Sequence, residues 1–261
     1  MDSMLVFDRL AVRRHRDRAA RTVDQVADVL RDAAERLLDR LDDTSHRFTR
    51  ALDVGGRGVV APLLRARGMQ VISCDLSPSM AALNGELCVA ADEEYLPFAP
   101  AGFDLIVANL SLHWTNDLPG ALLQLRQALR PDGLFLASLP TLGTLSELRS
   151  ALTEAEAEIA GGASPRVSPF PELRDCAHLL QRAGFTLPVA DVETIRLLYA
   201  DPFALLRDLR AAGETNAIRQ RTRVTPPHAL FPAALARLPA DGERVVATLA
   251  MAVLTGWAPA A

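Results

Sequence analysis

The chain begins polar and arginine-rich, then turns amphipathic at residue 22. Val23, Val26, Val29, Leu30, Leu37, Leu38 and Leu41 recur near a 3.6-residue period. That spacing predicts a helix over 22–43, with Thr22 as its N-cap and Gln25 three residues on. From residue 50 the period changes. Short apolar runs at 51–54, 70–74, 105–109 and 134–138 predict buried strands. Between them, 59–67, 79–84 and 118–129 predict helices. Gly68 stops the first, and Pro131-Asp132-Gly133 follows the third. Strands alternating with helices in this way predict an α/β fold with a mostly parallel sheet covered on both faces. Beyond residue 140, helices are expected at 145–159 and 171–183 around a Gly/Pro-rich loop at 161–171. A strand is expected at 189–198, and 202–214 and 241–256 read as helical.

Composition narrows the function classes. The 261 residues are 49% hydrophobic and 23% charged, with a net charge of −4. This suits an ordinary globular protein and gives no basis for bulk nucleic-acid binding. All the basic residues are arginine, so a lysine Schiff base or lysine general base is excluded. Cys74, Cys88 and Cys176 lack CxxC spacing, and reduced thiols are expected. No apolar run approaches the roughly 20 residues of a membrane span. The opening has no apolar export segment, and Asp8 and Asp17 interrupt its arginines. A cytoplasmic protein is therefore the expectation.

Candidate chemistry clusters at the predicted strand ends. Asp53-Val54-Gly55-Gly56-Arg57-Gly58 joins the first strand to a helix, a turn that brings backbone N–H groups to a polar ligand. An ordinary tight turn has the same appearance. Asp75, followed by Leu76, ends the second strand, about 20 residues on, where a carboxylate can accept from both ribose hydroxyls of a nucleoside. Asp92 and Glu93 precede Leu96-Pro97-Phe98, and Phe103-Asp104-Leu105-Ile106-Val107-Ala108-Asn109 follows. His113-Trp114 lies just past that strand. His113 is a candidate general base near neutral pH, or a packed wall of the pocket together with Trp114. His178 reads as a packed histidine, and Glu154, Glu156 and Glu158 as a solvated helix face rather than a metal site. No metal-ligand cluster is expected.

The glycine loop, Asp75, the Asp92–Phe98 turn with Phe103-Asp104-Leu105-Ile106-Val107, and Pro131-Asp132-Gly133-Leu134 together resemble class I S-adenosylmethionine-dependent methyltransferases. Further strings are similar to the methyltransferase-like assembly factors of respiratory complex I and to the malonyl-acyl carrier protein methyltransferases of biotin synthesis. They include Phe7-Asp8-Arg9, Leu110-Ser111-Leu112-His113-Trp114, Thr144-Leu145-Ser146-Glu147-Leu148-Arg149 and Ser164-Pro165-Arg166-Val167-Ser168-Pro169-Phe170. The resemblance implies a Rossmann-like, seven-stranded sheet over 44–261, a helical lid over 1–43 and a helical cap inserted at about 141–183. It implies S-adenosylmethionine as cofactor, held by Asp53, Gly55, Gly56, Gly58, Asp75, Leu76, Asp92, Glu93, Asn109 and Trp114. Asp75 would hold the ribose and Asp92 the adenine, and an arginine of the lid would meet the methionine carboxylate. The acceptor stays open: a small molecule or a protein, a respiratory-chain subunit among them. So does the chemistry, which is methylation, arginine hydroxylation, or binding without catalysis. Two departures stand out. The loop is one residue shorter than D-x-G-x-G-x-G, and Thr141-Leu142-Gly143 lacks an acidic residue usual in the family.

Overall fold

The computed structural model describes residues 5–85 and 87–260. Residues 1–4 of the expected lid, Glu86 and Ala261 lie outside the described residues. Helix α1 (Arg9–Ala19) starts at Asp8, whose side chain accepts from the Ala11 N–H. The predicted 22–43 helix is a 3-10 turn (Val23–Val26), α2 (Ala27–Leu38) and a second 3-10 turn (Asp39–Leu41). Thr22 does not cap it; its hydroxyl donates to the Ala19 carbonyl instead.

The alternating part follows as β1 (Arg50–Val54), α3 (Val60–Ala66), β2 (Gln70–Asp75), α4 (Pro78–Ala81), β3 (Cys88–Ala90), β4 (Phe103–Asn109), α5 (Leu118–Ala128) and β5 (Leu129–Pro140). The later elements are α6 (Ser146–Ala160), α7 (Leu173–Arg182), β6 (Thr186–Tyr199), α8 (Pro202–Ala211), α9 (Leu230–Leu235), β7 (Ala240–Asp241) and β8 (Arg244–Trp257). The sheet order is β3-β2-β1-β4-β5-β8-β6, and the two-residue β7 pairs with β8. Strands β1 to β5 run parallel, while β8 is antiparallel to both β5 and β6. The chain steps outward from β1 in both directions, so a crevice opens where β1 and β4 end side by side.

Two elements depart from the sequence pattern. Residues 241–256 are not helical: β8 occupies most of that stretch, laddered along both edges. Its alanines favour helix, but Val245, Val246, Thr248, Val253 and Thr255 are β-branched, and two partner strands satisfy its backbone. Strand β3 was invisible because it is three residues long and largely exposed. With β7, the sheet has eight strands rather than a plain seven.

Two apolar layers cover the sheet. On one face Leu30, Leu37 and Leu64 pack on Leu105 and Val107. On the other, Leu122, Leu125, Cys176 and Leu180 pack on Leu52, Ile106 and Phe135. Each fully buried side chain of this kind contributes roughly 1.5–3 kcal/mol. A third cluster joins α6, α8 and α9 through Leu148, Leu152, Leu205, Leu230 and Leu235. The 141–183 stretch therefore divides: α6 belongs to this outer cluster, while α7 lies in the layer against the sheet. Glu156 is not on a solvated face; it is buried and accepts from Ser164 and Arg166.

Candidate active site

The loop after β1 turns with positive φ at Gly55 (67°), Arg57 (52°) and Gly58 (80°). A Cβ on Gly55 would lie 2.5 Å from that of Ser111, and one on Gly56 would lie 2.1 Å from the Asp53 carboxylate. Both glycines are thus required by close packing of the loop on its own floor. Counted from Asp53, Arg57 stands at the middle glycine of D-x-G-x-G-x-G and adopts the left-handed backbone itself. That costs about 1–2 kcal/mol for a non-glycine residue. Its guanidinium holds it there, donating to the Leu110 carbonyl at 2.5 Å and to Glu214 at 2.6 Å. The Gly58 N–H donates to Asn84 at 2.9 Å.

Beneath the loop, Asp53 is buried, and its Oδ2 accepts from the Ser73 hydroxyl at 3.4 Å. Burial pushes its carboxyl up to about 7; the Ser73 bond works against this and the Asp75 charge adds to it. Asp75 ends β2 with no exposed surface, and one of its oxygens accepts from the Ser77 N–H at 2.8 Å. Its other oxygen accepts from Arg16 Nη1 at 3.1 Å. Burial raises the Asp75 carboxyl, Arg16 pulls it down and Glu93 pushes it up. Glu93 is buried and contacts Arg16 Nη1 at 3.3 Å and also Arg9. Asp92 is half-buried and accepts from Arg9 at 2.6 Å. Arg9 and Arg16, in the stretch expected to be a lid, thus both face the protein's own carboxylates.

Past β4, His113, Trp114 and Arg57 converge on one side chain, Glu214, in the segment after α8. The distances are 2.7 Å from His113 Nε2, 2.7 Å from Trp114 Nε1 and 2.6 Å from Arg57. Burial opposes charge on Glu214, but His113, Arg57 and Arg16 hold its carboxyl well below the usual range. These four residues form one end of a cavity of about 1020 Å³. Its walls are mostly apolar and include Leu148 and Phe170, whose ring centroid lies 6.1 Å from that of His113. A concave, largely apolar space with a few polar groups gathered at one end is the usual form of an acceptor pocket.

Of the residues singled out in the sequence, Asp53, Gly55, Gly56, Gly58, Asp75, Asp92 and Glu93 gather at the strand ends. Leu76 packs beside Phe7, Val12 and Trp114 on the flank of α1. Asn109 is engaged elsewhere: it donates to the Leu30 carbonyl at 3.0 Å and accepts from Ser138 at 2.7 Å, tying β4 to α2 and β5. Trp114 and His113 face the cavity. The sequence did not point to Arg16, Arg57 or Glu214. Arginine at a glycine position was the one available signal. The donor set fits a nucleoside cofactor: Asp75 is a buried strand-end carboxylate with one oxygen anchored by the backbone and the other accepting from a side-chain donor, Arg16.

A family profile described as a methyltransferase domain matches residues 15–188. The chain is 36% identical over 268 aligned positions to the Danio rerio protein named arginine-hydroxylase NDUFAF5, mitochondrial, covering 98% of this chain and 84% of that one. That relative is named as mitochondrial, which does not match a plain cytoplasmic expectation. The chain is 39% identical to the malonyl-[acyl-carrier protein] O-methyltransferase of Xylella fastidiosa (strain M23), over 83% of this chain and 75% of that one. The YcgJ protein of Bacillus subtilis shares the fold, with a TM-score of 0.59 at 15% identity over 86% of this chain and 98% of that one. Among the described residues no helix is long and apolar enough to cross a membrane. Strand order and relatives agree: the chain belongs to the family of S-adenosylmethionine-dependent methyltransferase-like proteins with the class I α/β fold.

Proposed function

We propose that this protein binds S-adenosylmethionine at the ends of β1 and β2 and transfers its methyl group to an acceptor in the adjoining cavity. The observation that carries the reading is Asp75: a fully buried strand-end carboxylate with one oxygen held by the Ser77 N–H and the other accepting from a side-chain donor, Arg16. Asp75 takes the ribose hydroxyls and Asp92 the adenine side. The loop from Asp53 to Gly58 supplies the turn beside them. When bound, the cofactor supplies an already activated methyl group, so the protein's part is alignment and exclusion of water. Residues 1–43 act as a lid, and α6 with the following loop forms the acceptor wall. His113 lines the reacting end, where Glu214 fixes its ring through Nε2.

A second reading is favoured by the Danio rerio relative, whose name states arginine hydroxylation and whose likeness covers 98% of this chain. On that reading the acceptor is a protein arginine, with a respiratory complex I subunit as the partner. A third, a binding or assembly role without catalysis, is favoured by Arg57 at a glycine position of the loop.

The test is calorimetric titration with S-adenosylmethionine and S-adenosylhomocysteine. Binding in the micromolar range is expected, and Asp75→Ala should lose it by at least 100-fold. Silence at millimolar ligand would leave only the non-catalytic reading. Mass spectrometry of candidate partner subunits then separates the two chemistries, by the gain of a methyl group or of an oxygen atom.

A further inference from the structure

Arg13, Arg14 and Arg18 of α1 are exposed, but Arg16 is 1% exposed and points into the strand-end recess. Its Nη1 lies 3.1 Å from Asp75 Oδ2 and 3.3 Å from Glu93 Oε1, and its Nη2 donates to the Ser111 carbonyl at 3.1 Å. The same Nη1 is 3.4 Å from the point where a Cβ on Gly55 would sit. The guanidinium therefore fills the gap between the glycine loop, the β2 carboxylate and the acidic turn after β3. Arg9 fastens the same helix to Asp92 and Glu93 and donates to the Trp114 carbonyl at 3.2 Å. The start of α1 is pinned as well: the Asp8 N–H donates to Ala217, and Phe7 pairs with Asn116.

A ribose would present Asp75 with hydroxyl donors, and the guanidinium presents N–H donors to the same oxygen. That oxygen cannot serve both in this arrangement, because the space beside it is taken. We infer that Arg16 is an internal ligand of the cofactor recess: α1 is latched onto Asp75 and Glu93, and cofactor binding exchanges the Arg16 contacts for those of the nucleoside. This rests on Asp75 being the ribose carboxylate. The latch solves a definite problem. Without a ligand, Asp75 and Glu93 would be two buried carboxylates side by side, and a buried charge must be paired. Arg16 pairs them until a ligand arrives. The latch also lowers apparent affinity by the fraction of molecules in which α1 is withdrawn.

The full-length protein, Arg16→Ala and Asp75→Ala are titrated with S-adenosylhomocysteine by calorimetry. Arg16→Ala should bind at least ten-fold more tightly than the unaltered protein. Equal or weaker binding by a folded Arg16→Ala, with the unaltered protein binding, overturns the latch and leaves the cofactor reading intact. No binding by either protein overturns the cofactor reading, and the latch with it. Because Arg16→Ala leaves two buried carboxylates unpaired, a measurement on the unaltered protein stands beside it. The Arg16 side-chain N–H resonance should shift and lose its protection from solvent exchange as S-adenosylhomocysteine saturates the protein. A resonance unchanged with ligand bound overturns the latch.

Discussion

The two halves of the crevice handle polarity in opposite ways. At the strand ends, Asp75, Asp92 and Glu93 are met by Arg9 and Arg16. A few residues further along, past β4, a cavity of about 1020 Å³ has many leucines in its lining, with Glu214, Arg57 and His113 among its polar groups. The first half is sealed by ion pairs that α1 carries in, and the second is held open by the packing of α6, α8 and α9. Recognition and variation thus fall to different parts of the molecule. A nucleoside needs fixed carboxylates at strand ends. An acceptor needs volume, which helices outside the sheet can reshape without disturbing the sheet.

Breaking the charged end of the cavity should have the largest effect on stability. Glu214→Ala strands the buried Arg57 guanidinium and should cost about 3–5 kcal/mol in urea unfolding. A loss under about 1 kcal/mol would mean that Glu214 does not organise that end. Next comes the apolar wall. Leu148→Ala should cost about 2–4 kcal/mol. Its affinity for S-adenosylhomocysteine should stay unchanged, because the two halves are built separately. A large change in affinity would join what the comparison separates.

A finer probe is pH. Burial pushes the native Asp53 carboxyl up to about 7, against the ordinary 3.8 of an aspartate in the unfolded chain. Between those values the native state holds a proton that the unfolded state has released. Stability due to this group is therefore full at acid pH, falls as pH rises from about 4 to about 7, and levels off above. Asp53→Asn should flatten that part of the profile, as read from unfolding midpoints across the range. Equal slopes in both proteins would remove Asp53 as the cause. The smallest effect belongs to the surface. Arg40→Ala breaks the exposed pair with Asp191, 2.8 Å apart, and should change stability by under about 1 kcal/mol, less at high salt.

Local signals reached the strand-end half of the site and stopped short of the other. Asp53 and Asp75 could be placed because each lies at the end of a short apolar run that leads into a turn, so chain order alone puts them at one edge of a parallel sheet; Asp92 was reached only through the family resemblance of its Leu96-Pro97-Phe98 turn. Arg16, Arg57 and Glu214 could not. Arg16 meets Asp75 across 59 positions, and Glu214 meets His113 across 101 and Arg57 across 157. Nothing in the neighbourhood of an arginine in a basic run tells a buried side chain from a solvated one. Asn109 shows the converse: at the end of a central strand it looked like a cofactor contact, yet its amide is used in joining three elements.

The apolar period and the turn residues by themselves determined the α/β class, the parallel strands β1, β2, β4 and β5 and the strand-end positions of Asp53 and Asp75, because those features depend on neighbours a few residues apart. Tertiary structure alone decided three matters. Residues 244–257 became a strand because β5 and β6 leave a gap with unpaired backbone on both sides, and this outweighs the helical preference of alanine. Arg57 became tolerable in a left-handed turn because Leu110 and Glu214 bind its guanidinium. Arg16 became the occupant of the recess because two buried carboxylates need a cation, and α1 is the element that brings one within reach.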